Sequence, residues 1–246
     1  MPVTSDRRHG VDLVIKIGGS LWSSRSLPRI LRRIAWLARR RRLVVVPGGG
    51  PFAEKVRAAQ RRFRFDDATA HRMALRAMDQ YGLILAALTP RGRPVEDLTE
   101  ARRTAAGGGV PILLAASDLD DDRTLEWSFR LGSDAIAAVV AARIGARRLV
   151  LLKSCACPRG PIESRNALRL LARRGVVDPL LPRLAPPGCE VRLFNARSAV
   201  RWDMALVSPE TLRPSRLRAG LRGTRRDAAR RAARRVRPGK PRRGPR

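Results

Sequence analysis

Short apolar runs alternate with amphipathic helical patterns along most of the chain. The runs "VDLVIKI" at 11–17, "LVVVP", "GVPILLAA", "RLVLL" and "EVRLFNA" have the length and composition of strands. Helical patterns lie between them, as in "LPRILRRIAWLARRRR", where Ile30, Ile34 and Leu37 share one face opposite the arginines. "DDATAHRMALRAMDQYGLILAAL" and "SDAIAAVVAARIG" also predict helices, the second with Ser133 near its cap, and "SAVRWDMAL" predicts a short one. This alternation predicts an α/β fold with a mostly parallel central sheet and helices on both faces.

Three predicted strands end in unusual residues for a buried segment: "KIGGS", "PGGG" and "LLKS". In a parallel sheet covered by helices, ligands bind beyond the carboxyl ends of the strands. We therefore expect these three ends to face one crevice.

Two glycine clusters, 18–19 and 48–50, each follow an apolar strand and lead towards a helix. Glycine lets the backbone approach a ligand closely, and its N–H groups can converge on an anion. One such cluster alone is also typical of a tight turn. Two of them in the same context favour phosphate binding, although neither matches the P-loop or the G-x-G-x-x-G dinucleotide signature.

The chain is strongly basic, with 52 Lys and Arg against 21 Asp and Glu and a net charge of +31. Only four of the basic residues are lysines, and two of them, Lys16 and Lys153, lie in strand-like apolar contexts. The body is predicted to span 11–224, after an extension at 1–10. Residues 225–246 hold eleven basic residues and predict a disordered tail. Contact between this tail and nucleic acid or another polyanion is an open alternative.

No apolar run has the length of a membrane span, and the first residues lack the pattern of a signal peptide. We therefore expect a cytoplasmic protein that does not enter membranes. The cysteines Cys155, Cys157 and Cys189 do not form an all-paired disulfide framework, and a metal site at the C-x-C pair is the less favoured interpretation.

Four segments together resemble the amino acid kinase superfamily: "KIGGS", "VVVPGGGPFA", "LGSDAIAA" and "LVLLK", in the order and spacing of that family. The resemblance implies a three-layer αβα sandwich that binds ATP and an acceptor in adjoining halves, as a dimer or larger homo-oligomer. "AHRMALRAMDQYG", "LEWSFRLGSDAIAA" and "RRGVVDPLLPRLAP" further resemble the kinase of methanofuran biosynthesis and its bacterial relatives. That resemblance implies transfer from ATP, with Mg²⁺, to a small phosphate monoester, which gives a diphosphate.

Site residues follow from the resemblance and from the chemistry of the strand ends. Lys16 would contact the transferring phosphoryl group, Lys153 the nucleotide phosphates, and Asp134 would orient the lysines or Mg²⁺. The expected nucleotide contacts are Gly18, Gly19, Ser20, Gly49, Gly50, Ser133 and Lys153. The expected acceptor contacts are Gly48, Gly49, Phe52, His71 and Asp79. Structural alternatives are a strand-end lysine for Lys16 and Lys153, a helix-start acid for Asp134, a surface histidine for His71 and a plain polar face for Asp79.

Some features depart from the family. "SCACPRGPI" stands where many members continue as "VDGVY" and close over adenine, and the "GGM" segment of carboxylate-phosphorylating members is absent. Alternatives are therefore a uridylate or isopentenyl-phosphate type of kinase, or a non-catalytic protein that binds nucleotide, an anion or nucleic acid. Nucleic-acid binding has little support from the composition, because the aromatic side chains on which bases would stack make up only 4% of the chain.

Overall fold

The computed structural model describes residues 10–120, 122, 124–125, 128, 131–198, 203 and 206. The predicted extension (apart from residue 10), most of the short helix expected at 198–206 and the basic tail lie outside the described residues.

Strands and helices alternate, and the elements predicted from the sequence occur in their predicted order among additional short ones. The strands are β1 (Leu13–Ile17), β2 (Leu43–Pro47), β3 (Gly92–Val95), β4 (Val110–Leu113), β5 (Arg148–Lys153), β6 (Pro161–Ile162) and β7 (Glu190–Asn195). The helices are α1 (Leu27–Ala38), α2 (Gly50–Phe63), α3 (Asp67–Leu88), α4 (Leu98–Ala106), α5 (Ala116–Leu119), α6 (Ser133–Ile144), α7 (Arg165–Arg173) and α8 (Leu181–Leu184), and a single 3-10 turn spans Gly19–Leu21.

The described strands form one sheet in the order β3-β4-β2-β1-β5-β7-β6. All neighbouring pairs are parallel except β6 with β7. Parallel pairing needs a crossover between successive strands, and the amphipathic helices supply it. The predicted α/β fold with a mostly parallel sheet is confirmed.

The central strand β1 is buried along its whole length. Its alternate residues face opposite sides of the sheet, as the pleat requires. Leu13, Ile15 and Ile17 belong to the core that includes α1, while Val14 belongs to the core that includes α6. Lys16 has the parity of Val14, so the pleat directs this lysine towards α6.

The apolar pattern does not predict β3 or α4. β3 is the edge strand "GRPV", in which the proline at 94 is tolerated because one side of the strand has no partner. α4 buries only Ala101 and Ala105 among its residues. Its start does carry a local signal, since the Asp97 side chain accepts from the N–H groups of Thr99 and Glu100 at 2.7 and 2.8 Å.

Among the described residues, no helix combines the length and the apolar character that crossing a bilayer requires.

Candidate phosphoryl-transfer site

The two glycine clusters meet at the carboxyl edge of the sheet. The N–H of Gly48 donates to the carbonyl of Ile17 at 2.8 Å, so the turn after β2 joins the end of β1. A Cβ on Gly48 would lie 2.5 Å from the nitrogen of Gly19, and one on Gly19 would lie 2.6 Å from the nitrogen of Gly50. Neither position has room for a side chain without separating the two turns.

The end of β5 joins the same place. The N–H of Gly18 donates to the carbonyl of Leu152 at 2.9 Å, and the hydroxyls of Ser20 and Ser154 are 2.6 Å apart. Ser154 directly follows Lys153, the last residue of β5. The three strand ends that the sequence singled out therefore lie together.

Two lysines meet one carboxylate beside these turns. The Nζ of Lys16 lies 2.8 Å from one oxygen of Asp134, and the Nζ of Lys153 lies 2.6 Å from the other. Asp134 is fully buried and Lys16 is 4% exposed. Burial opposes ionisation of Asp134, yet the two ammonium groups outweigh it and hold the pKa of this carboxyl below its ordinary value.

This arrangement presents two fixed positive charges at the edge where the glycine turns meet. Ammonium groups held in place in advance stabilise the charge on the oxygens of a phosphoryl group during its transfer. Of the two roles predicted for Asp134, the geometry favours orientation of the lysines, because each of its oxygens already pairs with one of them.

A second carboxylate, that of Asp178, lies at the site and is not among the residues predicted from the sequence. Its side chain accepts from the N–H groups of Asp134 at 2.6 Å and Ala135 at 3.3 Å, and its own N–H donates to Asp134 at 3.3 Å. Asp178 thereby caps the first turn of α6. Burial, reinforced by the negative charge of Asp134, raises the pKa of Asp178.

Ser133 lies next to the cap position of α6, as the sequence predicts, but the capping side chain is that of Asp178. Ser133 is the first residue of α6, Gly132 precedes it, and no side-chain cap comes from this segment itself. A Cβ on Gly132 would lie 2.4 Å from the Asp178 carboxylate, so glycine is the residue that leaves space for it. The only sequence signal for Asp178 is an acid between the apolar "VV" and a proline.

A small cavity of about 50 Å³ lies between α2, α3 and the start of α6. Its polar lining comes from Arg57, His71 and Ser133, and Gly49 and Gly132 also line it. Thus Gly49, Ser133 and His71, three of the predicted site residues, surround one space.

His71 is 2% exposed, so the surface histidine considered from the sequence is wrong. The helical pattern puts His71 among polar positions, but in the structure it lines the cavity together with Leu131 and the start of α6. Burial lowers the pKa of His71, while the carboxylate of Asp120 partly opposes this effect. Near neutral pH the imidazole is therefore uncharged.

Asp79 and Phe52 do not line this cavity. Asp79 accepts from the N–H of Ala116 at 3.3 Å, at the start of α5, and burial raises its pKa to about 6. Phe52 lies edge-on to Trp22, with ring centroids 5.6 Å apart. The acceptor contacts predicted for both residues remain predictions.

Cys155 and Cys157 follow Lys153 closely, and both thiols are free. Among the residues that the structure describes, no group of three or more His, Cys, Asp or Glu side chains could hold a metal ion.

The chain is similar to known proteins in both sequence and structure. Residues 13–156 match the model of the amino acid kinase family. The chain is 25% identical over 139 residues to a [5-(aminomethyl)furan-3-yl]methyl phosphate kinase from Methanocaldococcus jannaschii. That alignment covers 56% of this chain and 63% of the relative.

Solved structures with the same fold include uridylate kinases. The enzyme from Archaeoglobus fulgidus has a TM-score of 0.57 at 18% identity and covers 79% of this chain and 95% of its own. The enzyme from Bacillus anthracis has a TM-score of 0.59 at 12% identity, and the match covers 80% of this chain and 91% of that enzyme. At sequence identities this low, the similarity shows a shared fold and nothing more.

Proposed function

Because the chain belongs to the amino acid kinase family, we propose that it transfers the γ-phosphoryl group of ATP to the phosphate of a small phosphate monoester, which gives a diphosphate. The observation that carries this proposal is the pairing of Lys16 and Lys153 with Asp134, at 2.8 and 2.6 Å, where the two glycine turns meet.

Each part of the site has a role in this transfer. The N–H groups of Gly19, Gly49 and Gly50 would bind the phosphate chain of ATP, because those of Gly18 and Gly48 already donate to backbone carbonyls. The two ammonium groups would neutralise the γ-phosphoryl oxygens. An oxygen of the acceptor phosphate attacks the γ-phosphorus. The bond from that phosphorus to the bridging oxygen breaks, and ADP leaves with the electron pair. The acceptor phosphate is already ionised at neutral pH, so the reaction requires no general base.

The carboxylates described at the site already have partners, so they are not arranged as ligands of a protein-bound Mg²⁺. Both oxygens of Asp134 pair with lysines, and Asp178 accepts from the N–H groups of α6. We therefore assign no protein ligand to Mg²⁺, which would enter on the phosphate oxygens of the nucleotide and lower their negative charge.

The acceptor phosphate would bind beside His71 and Arg57, in the cavity next to the start of α6. A guanidinium pairs well with a phosphate, and a neutral imidazole can donate one hydrogen bond to it. The small volume of about 50 Å³ favours a compact acceptor group. An aminomethyl-furan methyl phosphate, the compound in the name of the relative, is the first acceptor to test. The homo-oligomer and the cytoplasmic location expected from the sequence stay predictions.

The test is a panel assay of the purified chain with ATP and Mg²⁺. Acceptors are the aminomethyl-furan phosphate, uridylate, isopentenyl phosphate and, as a carboxylate control, acetylglutamate. ADP release and ³¹P NMR of the product measure turnover and identify a diphosphate. We expect a diphosphate from at least one phosphate monoester and no product from acetylglutamate.

Lys16→Met and Lys55→Met form a matched pair, because Lys55 is exposed on α2. Loss of the Lys16 ammonium should lower kcat by about 10²–10³-fold, the effect of removing one donor to the transition state. Lys55→Met should leave kcat unchanged. Wild-type turnover in Lys16→Met, or no phosphoryl transfer to any of the monoesters, would contradict the proposal.

A further inference from the structure

A second, larger cavity lies at the opposite edge of the sheet from the glycine turns. It has a volume of about 560 Å³ and lies where β3 and β4 begin and α4 ends. Lys16 lies near the carboxyl end of β1, whereas Gly92 and Gly109 line this cavity at the amino ends of β3 and β4. We call it the arginine groove, after Arg91, Arg93 and Arg103. Its volume is in the range of small-molecule sites in proteins.

The lining of the arginine groove suits an anion and not an apolar ligand. Three arginines and one glutamate, Glu100, line it, and the remaining lining residues are Thr104 and glycines. Guanidinium groups bind phosphate oxygens through paired N–H donors. Arginine is common throughout this chain, so charge alone does not single out the groove. What distinguishes the groove is that several arginines line a concave space of this size.

Arg91 adds a second observation. It has a φ of 61°, in the left-handed region that residues other than glycine seldom adopt. Its guanidinium donates to the carbonyl of Gly107 at 2.9 Å, and its own carbonyl accepts from Val110 at 2.9 Å. The side chain therefore links the start of β3 to the residue that follows α4. Backbone strain of this kind is concentrated at functional positions.

The groove is connected to the candidate acceptor cavity through α3. His71 and Met78 of α3 line that cavity. The same helix ends at Leu88, and the carbonyl of the following Thr89 accepts from Gly92 at 2.8 Å, where the wall of the groove begins. A ligand that fixes the start of β3 would therefore act on a segment that is hydrogen-bonded to the residue after α3.

We infer that the arginine groove is a second anion site, which binds an oligophosphate chain separately from the catalytic crevice. This role goes beyond the proposed kinase activity. The oligophosphate could be free or attached to a nucleoside, and the volume accommodates either.

Calorimetric titration of the full chain with inorganic tripolyphosphate, at about 0.15 M salt to screen non-specific attraction, tests the inference. We expect Arg93→Ala/Arg103→Ala to weaken one class of sites by about tenfold, since two partly solvated charges are lost. Lys16→Met should weaken the other class and leave the groove intact. Arg91 stays unchanged in these variants because its contact with Gly107 also supports the fold.

Arg61→Ala/Arg62→Ala is the matched control, since it removes the same charge from two exposed positions on α2. Equal weakening by the control pair, or unchanged binding in Arg93→Ala/Arg103→Ala, would overturn the inference. CTP distinguishes the two sources: tighter binding than tripolyphosphate that is lost in Arg93→Ala/Arg103→Ala indicates a nucleotide, and equal binding of both indicates recognition of the phosphate chain alone. Because these readouts need no turnover, they are independent of whether the chain is a kinase.

Discussion

Replacement of Asp178 by alanine tests how the site is held together. The Asp178 carboxylate accepts from the N–H groups of Asp134 and Ala135 at the start of α6, at 2.6 and 3.3 Å. Alanine at this position leaves both buried donors without their acceptor, while the backbone N–H of residue 178 can still donate to Asp134. The variant therefore removes the cap of α6 and leaves the two lysines in place.

The expected cost follows from these contacts. A buried donor without an acceptor costs about 1–3 kcal/mol, and loss of a helix cap costs about 0.5–2 kcal/mol. Two donors would give roughly 2–4 kcal/mol, but Asp178→Ala also removes a carboxylate whose pKa is raised beside Asp134. Relief of that repulsion favours the lower end, about 2 kcal/mol. For a chain of this size this corresponds to a fall in Tm of about 4–8 °C.

Turnover should fall as well, because α6 positions Asp134 and Asp134 positions the lysines. We expect kcat to decrease by about 10–100-fold, which corresponds to about 1.4–2.8 kcal/mol in the barrier. The KM for ATP should change less, since the glycine turns do not contact Asp178. Asp178→Asn keeps one acceptor oxygen, so it should recover most of the Tm.

Thermal unfolding by circular dichroism and steady-state kinetics measure both effects. The control is Asp118→Ala, which removes a carboxylate from a partly exposed ion pair with Arg143 at 3.2 Å and should cost about 0.2–1 kcal/mol. If Asp178→Ala keeps the wild-type Tm and kcat while Asp118→Ala behaves as expected, the contacts of Asp178 do not organise the site.

Three further substitutions test other parts of the site. Gly48→Ala would place a Cβ 2.5 Å from the nitrogen of Gly19, so stability should fall by about 1–3 kcal/mol and turnover should fall as well. Gly10→Ala is the control, because no atom lies within 4 Å of the added Cβ, and it should be neutral. Equal melting curves for the two variants would contradict this prediction. Asp134→Asn should lower kcat by about 100-fold with the same half-saturating Mg²⁺ concentration, and a shifted Mg²⁺ titration would indicate a metal ligand. The buried imidazole of His71 has a lowered pKa, so the unfolded chain binds the proton more readily, and wild-type stability should decrease as the pH falls through about 6.5. His71→Gln should reduce this acid-side slope, and an unchanged slope in denaturant titrations at pH 5 to 8 would refute its origin in His71.

The elements that could be predicted from the sequence are those that bury a continuous stripe of apolar side chains. β1 is apolar and buried along its length, and α1 has a clear apolar face, so both were predictable from local pattern. β3 and α4 were not, because β3 is an edge strand with a glycine and a proline, and α4 is packed through small alanines. A pattern of large apolar residues cannot identify elements that contribute few of them to the core.

The same distinction applies to the candidate site. Lys16 and the glycine clusters are local features, each readable from the few residues around it. The roles of Asp178 and His71 depend on residues far apart in the chain, since Asp178 caps α6 through Asp134, which lies 44 residues earlier. His71 likewise borders a cavity that Leu131 and the start of α6, more than 50 residues later, help to line. The residues adjacent to each of them in the sequence do not specify these distant neighbours.

The use of lysine in so arginine-rich a chain also has a structural reason at this site. Two cations must share one buried carboxylate, with Lys16 only 4% exposed. An ammonium is compact and can be directed at a single oxygen, whereas a planar guanidinium tends to occupy both oxygens of a carboxylate. An arginine at either position would therefore compete with the second cation for Asp134. Without that carboxylate the two ammonium groups would repel each other in a poorly solvated space. In the proposed reaction, the triad would thus keep two positive charges close together until the more highly charged phosphates of a nucleotide provide a stronger partner.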